Sequence, residues 1–185
     1  MNIKFKPNNL KVAVVSAIVL GSVGFSTAIF AEGSATDDLI VQASVGISCT
    51  IEVNDIDFED YDPTSSSDDT AQGSVISRCT TGGNVVMTLG QGSGRQAGTI
   101  NGNSTDATPV REMTGVSGAA MNTKLAYGLF QDSGHGTVFG GTAQTGKAID
   151  YSGSAHTTTI YGKIPALQTA ALGSYIDSVP VTLTY

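Results

Sequence analysis

A chain of 185 residues is long enough for one domain with a packed core. Gly is frequent at 23 residues, Trp is absent and only 14% of residues are charged, which describes turn-rich β-structure and not a helical bundle. The formal net charge of −7 disfavours nucleic acid or an anionic membrane as an electrostatic partner.

Lys4, Lys6 and Lys11 precede an apolar run over residues 12–25, and "STAIFAEG" follows. A charged start, an apolar middle and small residues before a cut describe a secretory signal peptide over residues 1–31. Cleavage after Ala28 puts Ser26 and Ala28 at the two small-residue positions; cleavage after Ala31 puts Ile29 at the outer one. The competing reading is a membrane anchor over residues 12–31, weakened by Gly21, Ser22, Gly24, Ser26 and Thr27. Removing residues 1–31 leaves 6 of the 9 Lys+Arg against all 16 Asp+Glu, a formal charge of −10.

Residues 39–53 read "LIVQASVGISCTIEV". Leu39, Val41, Ala43, Val45, Ile47, Cys49, Ile51 and Val53 alternate with mostly polar or glycine neighbours, the period of a strand with one buried face. Fifteen residues at about 3.3 Å each would span roughly 50 Å, against about five or six residues for an ordinary strand. The run is long enough for more than one strand. Cys49 and Cys79 are the only cysteines, and in an exported chain an even pair reads as a disulfide. The alternatives are two buried thiols or half a metal site, and neither CxxC spacing nor a nearby His supports a metal.

Next comes "NDIDFEDYDPTSSSDDTAQG", where Ile56, Phe58 and Tyr61 can bury one face ahead of a polar loop. Asp55, Asp57, Glu59, Asp60 and Asp62 raise a calcium reading, but an EF-hand loop needs Gly sixth and Glu twelfth, and Asp60 and Ser66 stand there. Val75, Ser77 and Cys79 share one face of a strand, as do Val85, Met87 and Leu89, and "TTGGN" between them reads as a hairpin turn. Residues 90–109 are rich in Gly, Asn and Ser and read as a surface loop. Gly90 to Gly94 lacks the Lys and following helix of a phosphate loop. Asn103-Ser104-Thr105 fits a glycosylation acceptor, relevant only in a eukaryotic secretory path.

Further strands are expected at Leu125, Tyr127 and Leu129, at Val138 and Phe139, over residues 157–164, and at the end, where Val179, Val181, Leu183 and Tyr185 share a face. Pro180 suits an edge strand, where a missing donor is tolerated. "IPALQTAALG" is the one short helix-like piece. Several short strands joined by turns indicate a β-sandwich. Catalytic signals are sparse. His135 and His156 lack partners at metal-ligand spacing, no G-x-S-x-G elbow is present, and few aromatics could line a sugar cleft, so no enzyme, metal or cofactor is expected.

The order of "CTIEVNDIDFEDYDP", "GSVISRC", "REM", "KLAYGLFQD" and "GKIPA…LGSYIDSVPVTLTY" resembles the spore coat protein U domain family, which includes the major pilins of archaic chaperone–usher pili. Cys49, Asp57, Phe58, Cys79, Leu125, Tyr127, Leu129, Gly173, Tyr175, Asp177 and Tyr185 match its pattern. Glu59 stands where Gly follows the Phe in the family, and Phe139 where Trp is common.

The resemblance implies an all-β, incomplete immunoglobulin-like sandwich completed by a donor strand from another subunit. Residues 32–47 would be the donor-strand extension, with Leu39, Val41, Ala43, Val45 and Ile47 inserting into a neighbour, and residues 48–185 the pilin domain. The expected partners are identical subunits in a head-to-tail fibre, a periplasmic chaperone and an outer-membrane usher. Val179, Val181, Leu183 and Tyr185 would lie near the acceptor groove and the chaperone contact. The destination would be a cell-surface pilus serving adhesion and biofilm formation. The alternatives are a surface-coat protein of the same fold, or a monomeric exported sandwich that binds a ligand.

Overall fold

The alternation of Val75, Ser77 and Cys79 places three side chains at 2% exposure or less on the inner face of one strand, and the same pattern buries Val85, Met87 and Leu89. The computed structural model describes residues 33–80, 82–94 and 104–185. Among them are nine strands: β1 (Cys49–Asn54), β2 (Asp69–Cys79), β3 (Asn84–Leu89), β4 (Arg111–Gly115), β5 (Lys124–Phe130), β6 (Lys147–Asp150), β7 (His156–Ile164), β8 (Tyr175–Ile176) and β9 (Val181–Thr184). Their pairing gives a six-stranded sheet, β1-β2-β7-β5-β4-β8, and a three-stranded sheet, β6-β3-β9, with every pairing antiparallel. The inward residues of both sheets form one apolar cluster, in which Met87, Leu89, Leu125, Leu129, Phe139, Ile160 and Ile164 are buried. Phe139 fills its core position with no exposure.

Cys49 and Cys79 stand opposite each other in the β1–β2 register and are joined by a disulfide. The bond closes a separation of 30 residues and ties the start of β1 to the end of β2.

Residues 33–42 form a unit apart from residues 43–185. They carry no strand, and every residue in 33–48 is exposed. The proposed signal peptide over residues 1–31, with either cleavage point, lies outside the described residues.

Four sequence expectations change. The "TTGGN" segment is not a hairpin turn: β2 and β3 belong to different sheets and do not pair with each other. Turn chemistry is the same in a hairpin and in a connection between sheets, so composition does not separate them. "IPALQTAALG" forms no helix. Leu167 has φ +57, and the Gln168 side chain holds β5 by accepting from the Ala126 amide (3.0 Å) and donating to its carbonyl (2.8 Å). That side-chain amide pairs with the edge of β5 as a neighbouring strand's backbone would. Val138 contributes only an isolated bridge to Phe130, not a strand. Gly90 to Gly94 is not a free surface loop: the amides of Gly90 and Ser93 donate to the carbonyls of Pro180 and Ser178, both at 2.9 Å. Gly94 is buried, and a Cβ there would overlap the Glu112 carbonyl oxygen. Asn103 lies outside the described residues.

The acids of residues 55–62 organise turns. The Asp57 carboxylate accepts from the Glu59 amide at 2.9 Å. The Asp62 carboxylate accepts from the Thr64 hydroxyl (2.7 Å) and amide (2.8 Å), which hold it below the usual carboxylate range. Among the described residues no group of three or more His, Cys, Asp or Glu could hold a metal.

Glu59, the departure from the family's Gly, has φ +55. An L-residue in this left-handed region costs roughly 1–2 kcal/mol, partly offset by the larger entropy a Gly loses on folding. Glu59→Gly is therefore expected to stabilise the domain by about 0.5–1 kcal/mol, read as a raised denaturant midpoint. A lowered midpoint would show that the Glu59 side chain contributes more than its backbone strain.

Candidate functional site

Between the two sheets lies an open groove of about 340 Å³. One wall is the end of β1 and the segment after it, with Val53, Ile56 and Phe58. The other wall is the chain crossing from β8 to β9, with Tyr175, Ile176, Val179 and Val181. Leu89, Met113, Tyr127, Leu129 and Ile160 lie deeper, so core residues of both sheets are reached from outside.

The backbone edges beside this groove are free. Among the described residues β1 pairs only with β2, and β9 only with β3, so each leaves one edge without a strand. Ile51 and Val53 are 45% and 49% exposed, although their alternation with Cys49 marks an inner face. The alternation is correct, but the face it defines borders a gap. Such an opening exposes apolar surface and unpaired amides together, which is an aggregation hazard unless another segment covers it.

A polar brace supports the groove from within. The Tyr127 hydroxyl donates to Asp177 Oδ2, and Asp177 Oδ1 accepts from the amides of Gly94 (2.6 Å) and Ser178 (2.7 Å). Burial, then the hydrogen bond to Asp177, pushes the Tyr127 phenol above its ordinary range. Beneath them Arg111 is fully buried. Its Nε donates to the Gly90 carbonyl (2.8 Å) and its Nη2 to those of Leu89 (2.9 Å) and Phe139 (2.8 Å). Burial lowers the guanidinium to about 10, against the opposing pull of Tyr127 and Asp177, so it stays charged at neutral pH. The brace fixes the end of β3 against the segment entering β9.

Of the residues singled out in the sequence, Val179 and Val181 line the groove, and Leu183 is half-buried against the core. Tyr185 is exposed. Leu39, Val41, Ala43 and Val45 are exposed, and Ile47 is half-exposed against Gly83. The groove wall formed by Ile56 and Phe58 was legible only as a buried face. Met113 and Arg111 belong to a strand that alternation alone does not reveal, because β4 places charged Arg111 and Glu112 inside.

The geometry defines an all-β, two-sheet sandwich with an open apolar groove beside the unpaired edges of β9 and β1. Residues 35–182 match the Spore Coat Protein U domain family, and the chain belongs to it. It is 34% identical to "Protein U" of Myxococcus xanthus over 96% of this chain and 99% of that protein. The fold resembles a chain in the crystal structure of the CsuC–CsuE chaperone–tip adhesion subunit pre-assembly complex from archaic chaperone-usher Csu pili of Acinetobacter baumannii. That likeness has a TM-score of 0.54 at 20% identity, covering 77% of this chain and 41% of that one. This chain thus spans less than half of that solved chain, and the likeness concerns the fold.

Proposed function

We propose that the protein is an exported, non-enzymatic structural subunit that polymerises by donor-strand exchange into surface pili for adhesion and biofilm formation. A periplasmic chaperone would first cover the groove, meeting Val179, Val181, Leu183 and Tyr185. At an outer-membrane usher the N-terminal extension of the next subunit would replace it. The observation that carries this reading is the pairing of an open apolar groove with an exposed extension of matching alternation. Leu39, Val41, Ala43 and Val45 cover about 20 Å of strand. Each large side chain buried would contribute roughly 1.5–3 kcal/mol, with less for Ala, and backbone pairing with β9 would add to it. The same surface cannot fill its own groove and a neighbour's at once, so addition is head-to-tail and open-ended, which makes a fibre.

A second reading, a surface-coat protein assembled from the same domain, draws on the family description and on the full-length match to Protein U. Material sheared from cells separates the possibilities. Strand-exchanged polymers have high kinetic stability, so samples in SDS without boiling should run as a ladder of subunit multiples and collapse to monomer on boiling. Extended filaments in the sheared fraction support the pilus. A ladder found only in non-filamentous coat material supports the second reading. A single monomer band in both lanes contradicts polymerisation by strand exchange.

A further inference from the structure

The domain grips the segment through which the extension leaves it. Thr80 follows β2, and its hydroxyl accepts the Ser48 amide at 2.8 Å. As a donor that hydroxyl has two acceptors in reach, the carbonyl oxygens of Gly46 (3.3 Å) and Ser48 (3.2 Å). The Thr80 amide donates to the Ser48 carbonyl at 3.0 Å. Ile47 lies over the bare backbone of Gly83, where a Cβ would stand 3.4 Å from Ile47 Cδ1. One residue further, Cys49 is bound to Cys79. Residues 47, 48 and 49 are thus each tied down by a different interaction: apolar contact, hydrogen bonding and a covalent bond. At Gly46 the surroundings are open, with nothing within 4 Å of a Cβ position.

We propose that Thr80 and Gly83 form a clamp that sets where and in what direction the extension departs, making Gly46 the pivot between one domain and the strand it lends to the next. The inference rests on the donor-strand reading above. It assigns Ile47 to its own domain and ends the lent segment at Val45. In a fibre whose subunits are joined through one such connection, the angle between successive domains depends on how many backbone torsions are free there. With the clamp closed, the freedom is that of Gly46. Without it, Ile47 and Ser48 add four soft torsions before the disulfide stops the motion. The clamp therefore controls the order of the fibre and leaves subunit capture unchanged.

Thr80→Val removes the hydroxyl and keeps the branched shape at a half-buried position. Fibres sheared from cells expressing the full chain would be compared by unboiled SDS gel, by electron microscopy with averaged power spectra, and by amide exchange. The expected result is a wild-type ladder with loss of the layer lines that report a regular repeat, and exchange at the Ser48 amide about five-fold faster from the lost hydrogen bond. Thr80→Ser, which keeps the hydroxyl, should retain wild-type order. If Thr80→Val subunits are not displayed, Ile47→Ser at its half-exposed position gives the same test through the Gly83 contact. A normal ladder with unchanged layer lines in the displayed variant would overturn the clamp alone. Absence of a ladder from the wild-type protein would overturn the donor-strand reading and the clamp with it.

Discussion

Fibres will not grow from subunits carrying Val41→Asp together with Val45→Asp, although those subunits will still fold. Val41 and Val45 are 85% and 84% exposed, so the change removes no packing from the domain that carries them. In a neighbour's groove each substitution forfeits roughly 1.5–3 kcal/mol of apolar burial. Each also brings a carboxylate against Leu89, Leu129 and Ile160 with no cation among the groove-lining residues, and desolvating an unpaired charge costs several kcal/mol more. The combined effect is loss of the unboiled ladder, with chaperone-bound subunit remaining soluble at wild-type level. Normal filaments from this double variant would remove residues 39–45 from the donor role.

The second large effect falls on Arg111. Arg111→Met keeps the approximate volume but withdraws the guanidinium from the carbonyls of Leu89, Gly90 and Phe139 in a site with no access to water. Leaving buried acceptors without their charged donor is expected to cost about 3–5 kcal/mol, a large part of the 5–15 kcal/mol typical of a domain. The domain should accumulate poorly in cells, or show a much lowered unfolding midpoint. Arg111→Lys should rescue little, because a single ammonium cannot span three carbonyls set for a planar fork. A variant Arg111→Met of wild-type stability would mean that the brace is replaceable by packing alone.

The contrast between these two positions shows what the sequence could carry. Strand alternation is a one-dimensional signal, and it located the inner faces of β2, β3 and β5 because Val75, Met87 and Leu129 stand in rows that repeat every second residue there. The same signal ran through residues 39–53 without a break. The family resemblance, not the alternation, placed a boundary after Ile47; in the structure β1 begins at Cys49 and residues 33–48 are exposed. What alternation cannot express is partnership between distant segments. β3 pairs with β6 and β9, not with β2, so the expected hairpin at "TTGGN" failed on topology and not on local chemistry. β4 escaped notice because its inner positions hold a charged residue, and Arg is rarely fully buried. Gln168 and Leu167 turned a helix-like composition into a loop through a side chain that mimics a strand. The groove was expected only through the family resemblance, since a missing strand leaves no residues to read. Its walls become visible when Ile51 and Val53 are found exposed on a face that should be inner.

Met113 offers a probe already placed within the groove. Cells expressing the full chain would incorporate a photoreactive methionine analogue, and their intact filaments would be irradiated and then boiled in SDS. The expected products are covalent dimers and higher multiples that survive boiling, in which the peptide containing Met113 is joined to residues 39–45 of another chain. Filaments whose Met113 cross-links stay within one chain, with no product at subunit multiples, would contradict the donor-strand reading.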